Sequence, residues 1–407
     1  MSKIQILVLQ IEMIKKKLEL KPSKAIFHAF LKGQAKGGAE LLMFQLRDYL
    51  EADFWVGSMD FEGWDKEKFT NDPFVQKFWR TNTNFEYLHQ ETQIPIWRHI
   101  KRQLFFLFSP KIRELAKYEV VIFQGNVSFV QRRLRKISPN TKQILYVNTP
   151  PRGFADQFEE KLKKIPKIIH PIAKKFQKLV ISNYQKDAQA VDYIIANSQN
   201  IKGRLEKYFQ IKADSVIYPC LDTSNFKFIK QGDFYLSYAR LEEEKRIKLM
   251  VEAFKKMPDK KLVICSSGPL KEWLENEIKT HNLKNIVYEG RVSDERLVEL
   301  IGNCIAGIFI PKDEDAGMTQ IEIMTAGKPI IGVKDGGLLE TVVDGENGIL
   351  LSKNPEIGDL IKAIQEMTPK NALEYKEKCE LQAGKFTKEK FLESVNQIIL
   401  TIAENKN

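Results

Sequence analysis

Cysteine is scarce in this sequence. The four present, Cys220, Cys265, Cys304 and Cys379, are scattered and show no paired spacing. That excludes a disulfide framework and a cysteine-based zinc site, and it fits a reducing, cytoplasmic setting. Long apolar runs are missing too. The best of them, 4–14 and 104–108, fall short of the roughly 20 residues a bilayer-spanning helix needs. Lys15, Lys16 and Lys17 follow the first run rather than precede it, the reverse of a signal peptide, so residues 1–22 read as an extra amphipathic helix. No stretch is low in complexity. Neither G-x-x-x-x-G-K-[ST] nor G-x-G-x-x-G occurs, which removes the P-loop and the dinucleotide fingerprint. Aromatic–basic nucleic-acid modules are absent as well, so no nucleic-acid partner is expected.

The 407 residues are 43% hydrophobic, enough for two or three packed domains. Net charge is +11 and unevenly placed: residues 1–220 hold 37 Lys/Arg against 22 Asp/Glu, and the remainder holds 27 against 31. The basic half carries two clusters. One is Arg98, Lys101 and Arg102 with the apolar run 104–108; the other spans 161–178, lysine-rich with Ile and Phe interleaved. Such clusters suit peripheral contact with an anionic membrane at its inner face and a glycan or lipid-linked acceptor; a solvated basic face is the alternative.

Short apolar runs alternate with amphipathic helical patterns. Segments 25–30, 54–57, 120–124, 144–147 and 193–196 read as buried strands with helices between them, such as 40–50. The pattern restarts with strands at 233–239, 261–266, 286–289, 305–310 and 329–333, and helices at 245–256, 270–281, 294–303 and 318–326. This predicts an α/β chain of two Rossmann-like, doubly wound domains. The break falls near Ile217-Tyr-Pro-Cys-Leu-Asp222, where Pro219 suits a connector. The expected domains are 1–217, 218–385 and a C-terminal helix, 386–407, crossing back to the first. In such sheets ligands sit beyond the carboxyl ends of the strands, so the chemistry belongs in the loops that follow them.

The sharpest loop is Pro311-Lys-Asp-Glu-Asp-Ala-Gly-Met-Thr-Gln-Ile-Glu-Ile-Met-Thr-Ala-Gly-Lys-Pro329. A helix start near Gly317, Met318 and Thr319 turns unpartnered N–H groups toward an anion, for which a pyrophosphate is the natural occupant. Gly317 allows close approach. Glu314 and Glu322 flank that position and suit hydrogen bonds from sugar and ribose hydroxyls. Two other readings stay open: Thr319 with Glu322 matches a capping box, and Asp313-Glu-Asp315 resembles an acidic metal site.

Tyr238-Ala-Arg-Leu-Glu-Glu-Glu-Lys-Arg246 supplies Arg240 and Lys245 after another strand. Both would bind a diphosphate by charge-assisted hydrogen bonds, unless Lys245 pairs with neighbouring glutamates. Ser267-Gly268-Pro, Glu289-Gly-Arg291-Val292-Ser293 and Asp335-Gly-Gly337 with Glu340 follow further strands. Each alone could be an ordinary turn. In the first half, Gly33-Gln-Ala-Lys-Gly37-Gly38-Ala-Glu40 could admit a phosphate or acceptor, or be a tight turn. Asn148-Thr-Pro-Pro-Arg152 could hold its arginine near an anion. His28 closes the first strand and reads as structural.

These segments together resemble family 4 retaining glycosyltransferases of the GT-B fold, from Gly37-Gly-Ala-Glu40 to the C-terminal helix. Glu314 and Glu322 match the acids of that family's E-x7-E motif, Arg240 and Lys245 its pyrophosphate ligands, and Gly290-Arg-Val-Ser-Asp294 its base-binding loop. Asn148-Thr-Pro-Pro-Arg152 resembles the His-Thr-Pro-x-Arg loop of a bacterial and archaeal mannosyltransferase subgroup, with Asn148 in place of His. The resemblance implies retaining transfer of a hexose, mannose leading, from a nucleotide diphosphate sugar such as GDP-mannose, without a metal cofactor, in cell-envelope polysaccharide synthesis. Glu314, Arg240 and Lys245 would be catalytic. Gly268, Arg291, Val292, Ala316, Gly317, Met318, Thr319 and Glu322 would bind the donor. Gly37, Gly38, Asn148 and Arg152 would serve the acceptor. The rival readings are a sugar phosphorylase or nucleotide-sugar epimerase of similar architecture, or a non-catalytic nucleotide-sugar-binding protein.

Overall fold

The structure, a computed structural model, describes residues 23–28, 38–56, 75–76, 107–125, 129–220 and 222–404. The expectations for 1–22, for the loop through Gly37 and for Arg98, Lys101 and Arg102 lie outside these residues. The described residues within 1–195, 205–215 and 394–407 form one compact unit, and those within 196–204 and 216–393 form another. Among the described residues, no helix is long and apolar enough to cross a membrane.

The first unit is organised by a sheet ordered β3-β2-β1-β4-β5-β6-β7. Its strands are β1 (Lys24–His28), β2 (Asp53–Val56), β3 (Val75–Gln76), β4 (Val120–Gln124), β5 (Lys142–Val147), β6 (Tyr193–Ala196) and β7 (Ser215–Val216). The pairs from β3 through β5 are parallel. β4 is Val-Val-Ile-Phe-Gln, buried at all five positions. A strand covered on both faces needs this unbroken apolar run, because helices pack above and below it. Strand order reverses between β1 and β4. There His28 Nδ1 meets Gln124 Oε1 at 2.5 Å, and Gln124 Nε2 donates to the Ala39 carbonyl in helix Gly38–Leu50. His28 is buried in that contact, the structural role expected of it.

The second unit repeats the plan with β8 (Phe234–Ser237), β9 (Lys261–Cys265), β10 (Ile286–Gly290), β11 (Gly307–Ile308), β12 (Ile330–Val333) and β13 (Gly348–Leu351). The order is β10-β9-β8-β11-β12-β13, all parallel. Successive side chains alternate between two apolar layers. Tyr235, Leu262, Ile264 and Ile331 join one layer, and Leu236, Val263, Cys265 and Ile330 the other. All four cysteines are buried free thiols.

Helix Asp294–Asn303 falls where its periodicity places it, with Ser293 accepting from Arg296 N–H as N-cap. Two segments differ from expectation. β11 is only two residues long, and a Cβ on its Gly307 would stand 2.3 Å from Ile323 Cδ1 of helix Thr319–Thr325. Lys245 does not open a helix. It ends a 3-10 turn, Glu243–Lys245, and Arg246 takes φ +54° before helix Ile247–Lys255 begins.

Candidate active site

In the second sheet the strand order reverses between β8 and β11. Parallel sheets open a crevice at such a point, and the loops after the two flanking strands line it. Those loops are the two sharpest segments of the sequence.

Arg246 fastens them together. In its left-handed conformation its Nη1 donates to the Ile310 and Pro311 carbonyls, both at 3.1 Å, and its Nη2 to the Lys353 carbonyl at 2.8 Å. Lys312 N–H also donates to the Glu244 carbonyl at 2.7 Å. Lys245 is thereby turned onto the β11 loop. Its ammonium pairs with Glu314 Oε2 at 2.5 Å and lies 5.3 Å from the centroid of the Phe309 ring. The two side chains retain only 17% and 20% of their exposure, so solvent screens the pair far less than a surface ion pair. Lys245 does pair with a glutamate, though not with one beside it in the chain.

Glu314 is also held from behind. Gly337 N–H donates to its carbonyl at 2.9 Å. Gly336, at φ +57°, approaches so closely that a Cβ would stand 2.2 Å from the Glu314 oxygen, and a Cβ on Gly337 would stand 2.6 Å from Ala316 Cα. The Asp335-Gly-Gly337 turn is thus the floor of the Glu314 loop. Asp335 takes part through its Oδ2, which accepts from Asp313 N–H at 2.8 Å.

The flanking aspartates answer to Arg204, a residue the sequence reading missed. Its guanidinium, 5% exposed, donates to Asp313 at 2.6 Å and to Asp315. Helix Gln199–Phe209 carries it, and that helix is docked by Glu340, whose carboxylate accepts from Gln199 N–H at 2.7 Å and Asn200 N–H at 2.8 Å. Asn200 Nδ2 adds a bond to the Glu314 carbonyl at 2.9 Å, and Ser198 Oγ one to the Asp315 carbonyl at 2.7 Å. Asp313 and Asp315 thus both pair with a buried arginine. No local signal marks Arg204, since its partners lie more than a hundred positions away.

Helix Thr319–Thr325 has Met318 as N-cap, with no side-chain cap. The capping box is not formed. Glu322 instead accepts a 2.6 Å hydrogen bond from Tyr238 Oη, which also stands 3.0 Å from the Thr319 carbonyl. Burial raises the Glu322 carboxyl above its ordinary range, and the Tyr238 bond only partly offsets this. The first intrahelical bonds come from Ile321 and Glu322 N–H to the Met318 carbonyl, so the N–H groups of Gly317, Met318 and Thr319 precede them. Gly317 sits at φ +74° with the Gln320 amide against its open face.

The remaining expected residues are spread more widely. Arg240, with 59% of its side chain exposed, bridges to Glu242 at 3.2 Å rather than joining Lys245 and Glu314. A Cβ at Gly268 would stand 2.6 Å from the Leu241 carbonyl, so this glycine lets the β8 and β9 loops pack. Arg291 is exposed and Val292 half-buried on the loop after β10, beside Glu289, which Arg296 grips at 2.7 Å and 3.0 Å. In the first unit, Gly38 begins helix Gly38–Leu50 and Asn148 is half-buried after β5. Arg152 meets an anion of the chain itself, Asp156, at 2.7 Å and 2.9 Å.

Two doubly wound parallel sheets of this kind are the GT-B fold. Residues 223–386 match the family described as glycosyl transferases group 1, and the chain is a glycosyltransferase. It is 25% identical over 297 residues to the alpha-1,3/1,6-mannosyltransferase of Dictyostelium discoideum, covering 62% of this chain and 67% of that one. It is 22% identical over 372 residues to the alpha-monoglucosyldiacylglycerol synthase of Acholeplasma laidlawii, covering 84% and 88%. Across the Dictyostelium and Candida glabrata mannosyltransferases, the matches span 67% and 44% of the relatives' own length. The Anabaena protein HepE in complex with UDP shares the fold at a TM-score of 0.63 and 15% identity, with 93% of this chain and 100% of that one aligned.

Proposed function

We propose that the enzyme transfers a hexose, with mannose as the leading sugar, from a nucleotide diphosphate sugar to a glycan or lipid-linked acceptor, with retention at the anomeric carbon. The observation that carries this reading is the Lys245–Glu314 pair at the switch-point crevice. When the bond between sugar and phosphate breaks, negative charge builds on the departing diphosphate. Lys245 supplies a fixed counter-charge, and Arg240, exposed on the same loop, a second. The N–H groups at Gly317, Met318 and Thr319 add donors. Glu314 accepts from sugar hydroxyls and holds the ring while positive charge develops on it. Glu322 accepts from the ribose, a task suited to a carboxyl group already bonded to Tyr238. The acceptor hydroxyl enters on the face the diphosphate leaves, giving its proton to a phosphate oxygen. GDP-mannose is favoured by the Asn148-Thr-Pro-Pro-Arg152 loop and by the mannosyltransferases among the relatives.

The reading is tested by thermal shift against a panel of GDP and UDP sugars, followed by transfer from the stabilising one. Lys245→Ala and Glu314→Gln should each lower kcat by about 10²–10³ with the melting temperature little changed. A panel in which no nucleotide sugar raises the melting temperature, or variants within a few-fold of wild type, would overturn it.

A further inference from the structure

From Lys161 to Lys186 the chain carries eight lysines and no aspartate or glutamate. This stretch holds the 3-10 turn Lys167–Ile169 and helix His170–Ala188. The buried residues of that helix, Val180, Tyr184, Asp187 and Ala188, all lie in its second half. Its first half and the turn before it present apolar side chains outward: Ile168 is 86% exposed, Ile172 70% and Leu179 55%, with Ile165 and Ile169 exposed beside them. At about 100° per residue, Ile168, Ile172, Lys175 and Leu179 fall on one face. Lys164, Lys167, Lys174 and Lys178, all exposed, flank it.

Single exposed apolar residues are ordinary on any protein. A row of them framed by lysines, with Glu160 standing 4.0 Å from Lys164 at its start and no carboxylate within the stretch itself, has a narrower use. The isoleucines suit the boundary between headgroup and acyl chain, and the lysines suit lipid phosphates. An acidic protein partner would answer the charge but would also need an apolar pocket for the isoleucine tips.

We propose that this face docks the N-terminal unit on an anionic bilayer, with Ile168 and Ile172 entering the acyl boundary and the lysines meeting the lipid phosphates. The inference stands on exposure and charge alone and does not depend on the transfer reading.

The test is flotation of the full chain with phosphatidylcholine vesicles, with and without phosphatidylglycerol. Wild type should float with the anionic vesicles only, and less at high salt. Ile168→Ser/Ile172→Ser should weaken binding about tenfold or more with its melting temperature unchanged. Lys174→Glu/Lys175→Glu/Lys178→Glu should abolish it. Failure to float on anionic vesicles, equal binding to neutral ones, or full binding by the isoleucine variant would overturn the proposal. So would a dimer in sedimentation velocity that the isoleucine variant disperses, since the face would then belong to a second copy. Nucleotide-sugar stabilisation should be the same in both variants, which separates this result from the fate of the transfer reading.

Discussion

Lys328 has no exposed surface, yet it carries an ammonium group. Its Nζ donates to the Lys230 carbonyl at 2.8 Å and Gln231 Oε1 at 3.1 Å, and stands 4.0 Å from the centroid of the Phe228 ring. One side chain thus ties the segment leading into β8 to the turn after helix Thr319–Thr325. Burial holds its pKa down at about 8, against an ordinary 10.5. Between those values the unfolded chain keeps a proton that the folded chain has released. Stability from this group therefore rises with pH across that window and is lowest below it. Lys328→Met has no such dependence. In melts from about pH 7 to about pH 9.5, wild type should gain on the variant as pH rises; a gap that stays constant would show that the lysine is not titrating there. In the sequence this residue was visible only as part of a helix-ending Gly-Lys-Pro. Lysine is ordinarily a surface residue, and both its acceptors come from nearly a hundred positions earlier.

The loop after β11 is shaped more by its neighbours than by its own residues. It rests on Gly336 and Gly337, is bridged by Arg246 and is backed by helix Gln199–Phe209 through Asn200 and Arg204. Gly336→Ala places a methyl group against the Glu314 carbonyl at a backbone angle that alanine adopts with strain. It should cost about 1–3 kcal/mol of stability in denaturant melts and lower kcat at least about tenfold, because Glu314 moves. Unchanged turnover in this variant would mean that the position of Glu314 does not matter. At this scale the sequence was most legible in its strands and helices. β4, β6 and helix Asp294–Asn303 sit where apolar runs and periodicity put them, because burial on two faces and a serine cap are local signals. The pairing of Glu314 with Lys245, rather than with the acids beside that lysine, was not legible. It depends on Arg246 adopting a left-handed turn and reaching carbonyls more than sixty positions away.

For the molecule as a whole, the proposed reading assigns the counter-charge at the donor site to side chains, and this has a consequence in solution. If Lys245 and Arg240 balance the diphosphate, transfer should proceed at the same rate with and without EDTA. Loss of activity on chelation, with recovery on adding Mg²⁺ or Mn²⁺, would assign that charge to a metal instead. The alternation of strands and helices was enough to anticipate two doubly wound units, and the E-x7-E spacing to anticipate the family. The division of the chain is less simple than one break near Pro219, because residues 196–204 lie with the second unit and 205–215 with the first. Sequence order cannot display such an exchange, since it follows from how Glu340 and the aspartates capture one end of a helix. The interior placement of every cysteine has a practical corollary. Burial pushes Cys220, Cys265, Cys304 and Cys379 up to about 12, so little reactive thiolate exists at neutral pH. A thiol engineered onto the surface would then be the one a maleimide dye or spin label reaches, and spectroscopic probes could be attached without first stripping out the native sulfurs.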